Sequence, residues 1–323
     1  MIQQSRFKPP WWLRNSHIQT IWPSLAKKKS RVDITHQRLD LPDGDFLDLA
    51  WVGEHNHHQP IIIVLHGLCG SIKSPYILNT LEAIEEAGYR GVMMHFRGCS
   101  EEPNRMIRSF HAGDTHDLAY LVNYLRWKEP EVNLGAVGYS LGGNVLLKWL
   151  GETQTQLLNF AIAISVPFDL FKVLKRFSKG ISKIYSYYLL QSMHSAILPK
   201  LKKRPIKEAN YRKLRWAWRF PDFDNTYTAP VHGFKDANEY YNKASCKRFL
   251  KYIQIPTFIL HAKDDPFMTP DCLPKDDELS DHVSLEVSEY GGHVGFVTSD
   301  SLLEPPRYWL KDWLKGYFHQ QLS

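Results

Sequence analysis

The hydrophobic positions of this chain fall into short unbroken runs separated by stretches with helical spacing. Ile61 to Leu65 is a continuous aliphatic run, which predicts a strand buried on both faces. Gly91 to Phe96, the first half of the 133–150 stretch, and Phe160 to Val166 read the same way. Between them, apolar residues recur every three or four positions. Ile77, Leu81 and Ile84 predict a helix from Pro75 to Gly88, and Leu118, Leu121, Val122 and Leu125 one from Asp114 to Trp127. Upstream, extended runs between Val32 and Val52 flank Pro42-Asp-Gly-Asp45, a hairpin turn signal. This alternation of strand and helix predicts an α/β fold, with a mostly parallel sheet and helices on both faces.

The rhythm breaks after Pro167. The next stretch carries no buried strand pattern, only basic and aromatic helical material such as Ile181 to Leu198. Strand patterns then return at Pro256 to His261 and Val283 to Val287, followed by an amphipathic terminal helix from Pro306 to Phe318. The economical division is a core formed by residues 32–167 and 251–323, with residues 168–250 inserted as a helical cap between two late strands. Residues 1–31 form an aromatic, proline-rich arm, expected to be irregular and packed on the core, since exposing Trp11, Trp12 and Trp22 is costly. His55-Asn-His-His58 reads as a solvated loop; no acid or thiol stands at ligand spacing, so no metal is expected there.

Charge sharpens this division. The formal net charge is +6, yet residues 168–219 hold fourteen Lys/Arg against Asp169 and Glu208, a local balance of +12. The remainder is therefore net acidic, at −6. A basic, aromatic insertion suits either a solvated face over an apolar pocket or contact with anionic headgroups. No nucleic-acid partner is expected, because no recognised binding motif accompanies the charge. The four cysteines are scattered without a C-x-x-C pair, which predicts reduced thiols in the cytoplasm. No run is long enough to span a bilayer, and Met1 to Pro10 lacks the apolar core of a signal peptide.

The candidate chemistry centres on Gly138-Tyr-Ser-Leu-Gly142, a G-x-S-x-G placed where a predicted strand turns into a predicted helix. A serine at such a turn adopts a strained backbone and needs neighbours without bulk, which Gly138, Gly142 and Gly143 supply. A serine hydroxyl also needs a base, an orienter for the base and donors for the developing oxyanion. In this arrangement the acid and then the histidine follow the serine, each after a later strand. The 256–261 strand leads into Asp264-Asp265, and the 283–287 strand leads into Gly291-Gly-His293. Ser140, Asp265 and His293 are therefore the expected catalytic residues. Asp264 is the alternative acid; whichever aspartate faces away from the histidine is free to cap the following turn. The expected oxyanion donors are the backbone N–H groups of Leu141, at the helix start, and Leu68, in His66-Gly-Leu-Cys-Gly-Ser71. Each is worth about 3 kcal/mol of transition-state stabilisation. His66 is expected to brace that loop, and Cys69 to pack rather than react.

With these residues in place, the chain resembles the α/β-hydrolase superfamily, and more closely its YheT-like family of esterases and lipases. The resemblance covers nearly the full length. It is carried by the arm Phe7 to Thr20, His66 to Ser71, Phe96-Arg-Gly-Cys-Ser100 with Asn104, and Gly138 to Asn144. Gly233-Phe234 with Tyr240-Tyr241, Asp264-Asp-Pro266 and Gly292-His293 complete it. It implies a carboxylic-ester substrate with an acyl chain and supports the Ser140, Asp265 and His293 assignment; no cofactor is expected. The leading expectation is a serine esterase or lipase of short or medium acyl chains working through an acyl-enzyme. Transfer of the acyl group to an alcohol is the alternative, and a catalytically silent member of the fold acting as a binding protein is a third reading.

Overall fold

A computed structural model, which describes residues 1–25, 32–54 and 58–322, places the apolar runs side by side in one sheet of nine strands. His55, Asn56 and His57 of the histidine-rich loop lie outside the described residues. In chain order the strands are β1 (Ile2–Gln4), β2 (Thr35–Asp40), β3 (Phe46–Val52), β4 (Ile61–Leu65), β5 (Arg90–Met94), β6 (Leu134–Tyr139), β7 (Phe160–Ile164), β8 (Thr257–Ala262) and β9 (Val283–Ser288). Their spatial order is β1-β9-β8-β7-β6-β4-β5-β3-β2. Pairing is parallel from β1 across to β5, while β3 runs antiparallel to both β5 and β2. The predicted α/β architecture is thus present, with the Pro42 turn closing the β2–β3 hairpin.

Helix α1 (Ser16–Leu25) precedes the sheet's antiparallel edge in sequence; α2 (Pro75–Glu86), α3 (His116–Lys128) and α4 (Leu141–Thr153) follow β4, β5 and β6. Alternation along the strands sends side chains to both faces. Ile61, Ile63 and Leu65 of β4 join a cluster with Leu118, Leu121 and Val122 of α3 and Val145 and Leu146 of α4. Ile62 and Val64 join Ile77, Leu81 and Ile84 of α2 on the opposite face. Each such aliphatic side chain contributes about 1.5–3 kcal/mol when fully buried. Because β5 lies on one side of β4 and β6 on the other, the loops leaving β4 and β6 diverge. They open a crevice at the strands' carboxyl ends, where ligands bind in open α/β sheets.

The segment between β7 and β8 is helical: α5 (Leu170–Phe177), α6 (Ser182–Lys203), then the short α7 (Tyr211–Leu214), α8 (Phe220–Phe223), α9 (Ala229–Val231) and α10 (Ala237–Ala244). It has its own apolar cluster, with Val173, Phe177, Leu190, Ile197, Leu214 and Phe223 packed around Met268 and Cys272 from the loop after β8. Among the described residues no helix is long and apolar enough to cross a membrane.

The arm departs from the expected irregular coil. β1 adds to the sheet edge with Ile2 opposite Leu285, and residues 16–25 are helical. A three-residue strand is too short to show a period, and Pro23 inside α1 is a helix-breaking residue that argues against the helix. Trp11 is also not covered: it is 72% exposed. The 3₁₀ turn Trp11–Leu13 has one inward position, and Leu13 occupies it. The last helix, α11 (Trp309–Leu322), starts later than expected because Arg307 and Tyr308 pair as a strand, β11, with β10 (Val297–Thr298).

One buried charge in the insertion has a measurable consequence. Asp224 opens a π-helical turn, Asp224–Thr228, and accepts hydrogen bonds from Thr228 Oγ1 and Tyr241 Oη, both at 2.6 Å. Burial pushes its carboxyl up to about 6. A carboxyl raised in the folded state favours folding while protonated, and that advantage is lost as pH rises through about 6. Asp224→Asn removes the titration. Relative to the native chain it should gain up to about 3 kcal/mol between pH 4 and pH 7. Urea unfolding at both pH values checks this; a difference between the two proteins that does not change with pH contradicts it.

Candidate active site

Ser140 stands between the last residue of β6 and the first of α4, with φ 50° and ψ −118°. This left-handed conformation costs a non-glycine residue about 1–3 kcal/mol. It persists because strand and helix are packed too closely to relax. A Cβ on Gly138 would lie 2.7 Å from the Gly143 Cα, and one on Gly142 would lie 2.5 Å from the His66 carbonyl oxygen. The Ser140 N–H donates to the Ile164 carbonyl at 2.8 Å, which pins the turn to β7.

The structure brings Ser140, His293 and Asp265 together in one relay. His293 Nε2 lies 2.9 Å from Ser140 Oγ, and His293 Nδ1 lies 2.8 Å from Asp265 Oδ2. A carboxylate can only accept, so Nδ1 carries the proton and Nε2 presents its lone pair to the serine. Asp265 is 3% exposed, and its other oxygen accepts the Phe267 N–H at 2.8 Å. The Phe267 ring lies parallel to the imidazole at 3.9 Å and fixes its plane.

The two aspartates divide their work differently from the sequence expectation. The turn after β8 is capped by Asp265 itself, through the oxygen that does not face His293. Asp264 instead reaches the histidine loop and accepts the Gly292 N–H at 2.9 Å. Burial pushes its carboxyl up to about 6, and its Oδ2 finds no partner among the described residues.

The histidine loop is held from the arm, by residues that motif reasoning did not single out. The His293 N–H donates to Thr20 Oγ1 at 2.9 Å, and Thr20 in turn donates to the Ser16 carbonyl. Gln19, fully buried, accepts the Val297 N–H and donates to the carbonyls of Val297 and Leu13. Gly292, at φ +58°, packs so tightly on α1 that a Cβ would lie 2.6 Å from the Ser16 carbonyl oxygen. A further bond runs from the Val294 N–H to Ser165 Oγ at 3.0 Å. The one sequence signal for Gln19 and Thr20 was their place at the end of the arm that carries the family resemblance.

Opposite His293, residues 67–70 form a turn closed by the Gly70 N–H to the Gly67 carbonyl at 3.0 Å, with Cys69 at φ +57°. A Cβ on Gly67 would lie 3.2 Å from the Ser140 Cβ, so this turn rests directly on the nucleophile. Leu68 and Leu141 both line the cavity above the serine. His66 is buried and braces the turn. Its Nε2 accepts the Phe96 N–H at 3.1 Å, which leaves Nδ1–H to donate to the Gly67 carbonyl at 2.7 Å. Burial pulls its pKa down to about 3, which keeps it neutral. Burial pushes the Cys69 thiol up to about 12, the opposite of what a reactive thiolate requires.

The cavity has a volume of about 1350 Å³. Ser140 and His293 lie at one side, and Val173, Phe177, Leu189 and Met193 of the insertion line it with apolar surface. Asn144 ties the serine helix to that insertion: it donates to the carbonyls of Ala112 and Ala244 and accepts the Cys246 N–H. Arg97, also on the wall, is held by Asp117 and Asp43, and Asn104 anchors its loop to Asp45. Tyr308 Oη is buried at the wall with no partner among the described residues. No group of three or more His, Cys, Asp or Glu among the described residues is arranged to hold a metal ion.

Residues 60–300 match the model of the alpha/beta hydrolase fold family. The chain is 40% identical over 321 residues to the Escherichia coli protein named "Putative esterase YheT", covering 97% of this chain and 94% of that one. It is 28% identical to the mouse phospholipase ABHD3, over 90% of this chain and 73% of that protein. It is 26% identical to the mouse monoacylglycerol lipase ABHD2, over 96% and 78% respectively. Among solved structures, the Pyrococcus furiosus esterase Pf2001 superposes with a TM-score of 0.58 at 16% identity, covering all of this chain and 97% of that one. The Est1E protein of Butyrivibrio proteoclasticus superposes at 0.55 and 13% identity, over 88% and 99%. At such identities these two speak for the fold.

The clasp on the histidine loop generates a stability prediction. Gln19→Leu strands the buried Val297 N–H together with two carbonyls. At about 1–3 kcal/mol for each of the three buried groups left unpaired, the variant should lose at least about 3 kcal/mol. Urea denaturation measures it, and a loss within error of zero contradicts the clasp.

Proposed function

The chain belongs to the α/β-hydrolase fold family, and from that membership we propose a serine hydrolase that cleaves carboxylic esters of short or medium acyl chains through an acyl-enzyme on Ser140. The observation that carries this reading is the unbroken relay from Ser140 Oγ to His293 and Asp265, at 2.9 and 2.8 Å, beside an apolar cavity. The relatives named as esterase, phospholipase and monoacylglycerol lipase support an acyl ester as the substrate class. Their different alcohols leave the headgroup to the cavity.

In the first half-reaction, Ser140 Oγ attacks the ester carbonyl while His293 Nε2 takes its proton. Asp265 holds the imidazole in register and stabilises the imidazolium that forms. The carbonyl oxygen becomes an oxyanion, which the N–H groups of Leu141 and Leu68 meet. Collapse breaks the bond to the alcohol, which leaves with the proton from His293, and the acyl group stays on Ser140. Water then repeats the sequence, with His293 as its base, and releases the acid. Residues 168–250 act as a cap over the serine that admits the acyl chain. Its basic surface is suited to an anionic lipid surface rather than to nucleic acid. The four unpaired cysteines support a reducing, cytoplasmic setting. The apolar lining contributed by the cap also favours an added alcohol as acyl acceptor in place of water.

Ser140→Ala should abolish labelling by a fluorophosphonate probe, as well as hydrolysis of p-nitrophenyl esters from C2 to C16. A native protein that takes no label points to a silent binding protein instead. Ethyl esters formed in added ethanol reveal transfer.

The two aspartates should separate cleanly. Asp265→Asn removes the acceptor that fixes the His293 tautomer and should lower kcat by roughly 10³–10⁴-fold. Asp264→Asn retains an oxygen for the Gly292 N–H and should stay within about tenfold of the native rate. Steady-state kinetics on both variants decides this, and the reverse ranking contradicts the assignment of Asp265.

A further inference from the structure

Two helices far apart in the sequence, α1 near its start and α6 near its middle, expose apolar faces at the mouth of the cavity. On α1, Ile18, Ile21 and Leu25 are 43, 41 and 73% exposed and lie three and four residues apart, on one side of the helix. At the start of α6, Ile181, Ile184 and Tyr188 repeat that spacing at 55, 66 and 67% exposure. The helices are neighbours: His17 Nδ1 lies 2.9 Å from Tyr185 Oη and the two rings stack. Ile21, Ile184 and Tyr188 also line the cavity that reaches Ser140. Other large apolar side chains are exposed elsewhere, Trp127 and Leu303 among them, but here several cluster on two neighbouring helices at one opening, which marks an interaction surface.

Along the insertion the charge has one sign, although Glu101 and Glu102 also line the cavity. Residues 170–207 contain ten Lys/Arg and no Asp or Glu, and exposed Lys179 and Lys183 bracket Ile181. Helix α1 contains no charged Lys, Arg, Asp or Glu. An aliphatic ridge with lysines at its margin is complementary to a layer with an apolar interior and negative headgroups. A nucleic acid would answer the lysines but not the isoleucines.

We propose that the exposed apolar faces of α1 and α6, with the lysines beside them, dock the cavity mouth onto an anionic lipid surface. An acyl chain then passes from the lipid layer into the cavity past Ile21, Ile184 and Tyr188 without crossing water. That last consequence rests on Ser140 being the ester-cleaving nucleophile; the docking itself does not.

The test uses the full chain and sucrose-loaded vesicles, either of phosphatidylcholine alone or with about 30 mol% phosphatidylglycerol. The native protein should sediment with the anionic vesicles and be released by high salt. Ile18 and Ile181 do not line the cavity, so the double variant Ile18→Ser/Ile181→Ser should keep the native rate on p-nitrophenyl butyrate in water. Its partitioning onto anionic vesicles should weaken by about tenfold or more. Lys179→Glu/Lys183→Glu should weaken it comparably and remove much of the salt dependence. A native protein that stays in the supernatant overturns the proposal, as does a serine double variant that binds like the native one. A dimer in size-exclusion chromatography that the serine variant dissociates, without vesicle binding, assigns the surface to a second copy and overturns it too. A native protein that binds vesicles but hydrolyses no ester keeps the docking and counts against Ser140 alone.

Discussion

The backbone of Ser140 is held at φ 50°, and the site depends on that constraint. A serine in ordinary extended or helical geometry would lie along β6 or α4 with its hydroxyl among packed side chains. The reversal lifts it clear of the sheet and leaves the N–H of Leu141 at an unshared helix start. Parallel β4 and β7 on either side of β6, and the absence of Cβ atoms at Gly138 and Gly142, keep the turn from relaxing. The strain is local, and the buried sheet that opposes it is large.

The serine's partners reach it from elements far apart in the chain. Asp265 follows β8, His293 follows β9, and the parallel register delivers both to the edge where β6 ends. The histidine loop, rich in glycine, has little rigidity of its own. Its position comes from α1, through Thr20 and Gln19, and from Asp264 beneath Gly292. The N-terminal arm is therefore part of the site's framework, and the same helix turns an apolar face outward beside the cavity mouth.

Much of this was legible in the chain. Continuous β-branched runs announce buried parallel strands, and a serine between glycines at a strand-to-helix junction announces the elbow. Order along the chain then pointed to Asp265 and His293. What stayed hidden has physical reasons. Asp264 and Asp265 are chemically identical neighbours, and only the direction of each side chain separates clasp from relay. Helix α1 carries Pro23 within an aromatic, proline-rich arm, a composition that argues for coil. Hydrophobicity alone argues for covering Trp11, whereas Leu13 takes the one inward position of that turn. Contacts such as Gln19 to Val297 join residues 278 positions apart, and no local pattern encodes them.

In the proposed mechanism Ser140 carries the acyl group covalently, and the insertion selects which acyl group that is. Rapid mixing with excess p-nitrophenyl butyrate, acid quenching and peptide mass mapping tests that claim most directly. A burst of p-nitrophenol equal to the enzyme present is expected, with a butyryl group on the peptide containing Ser140. Turnover without any adduct, or an adduct carried by Cys69, would contradict it.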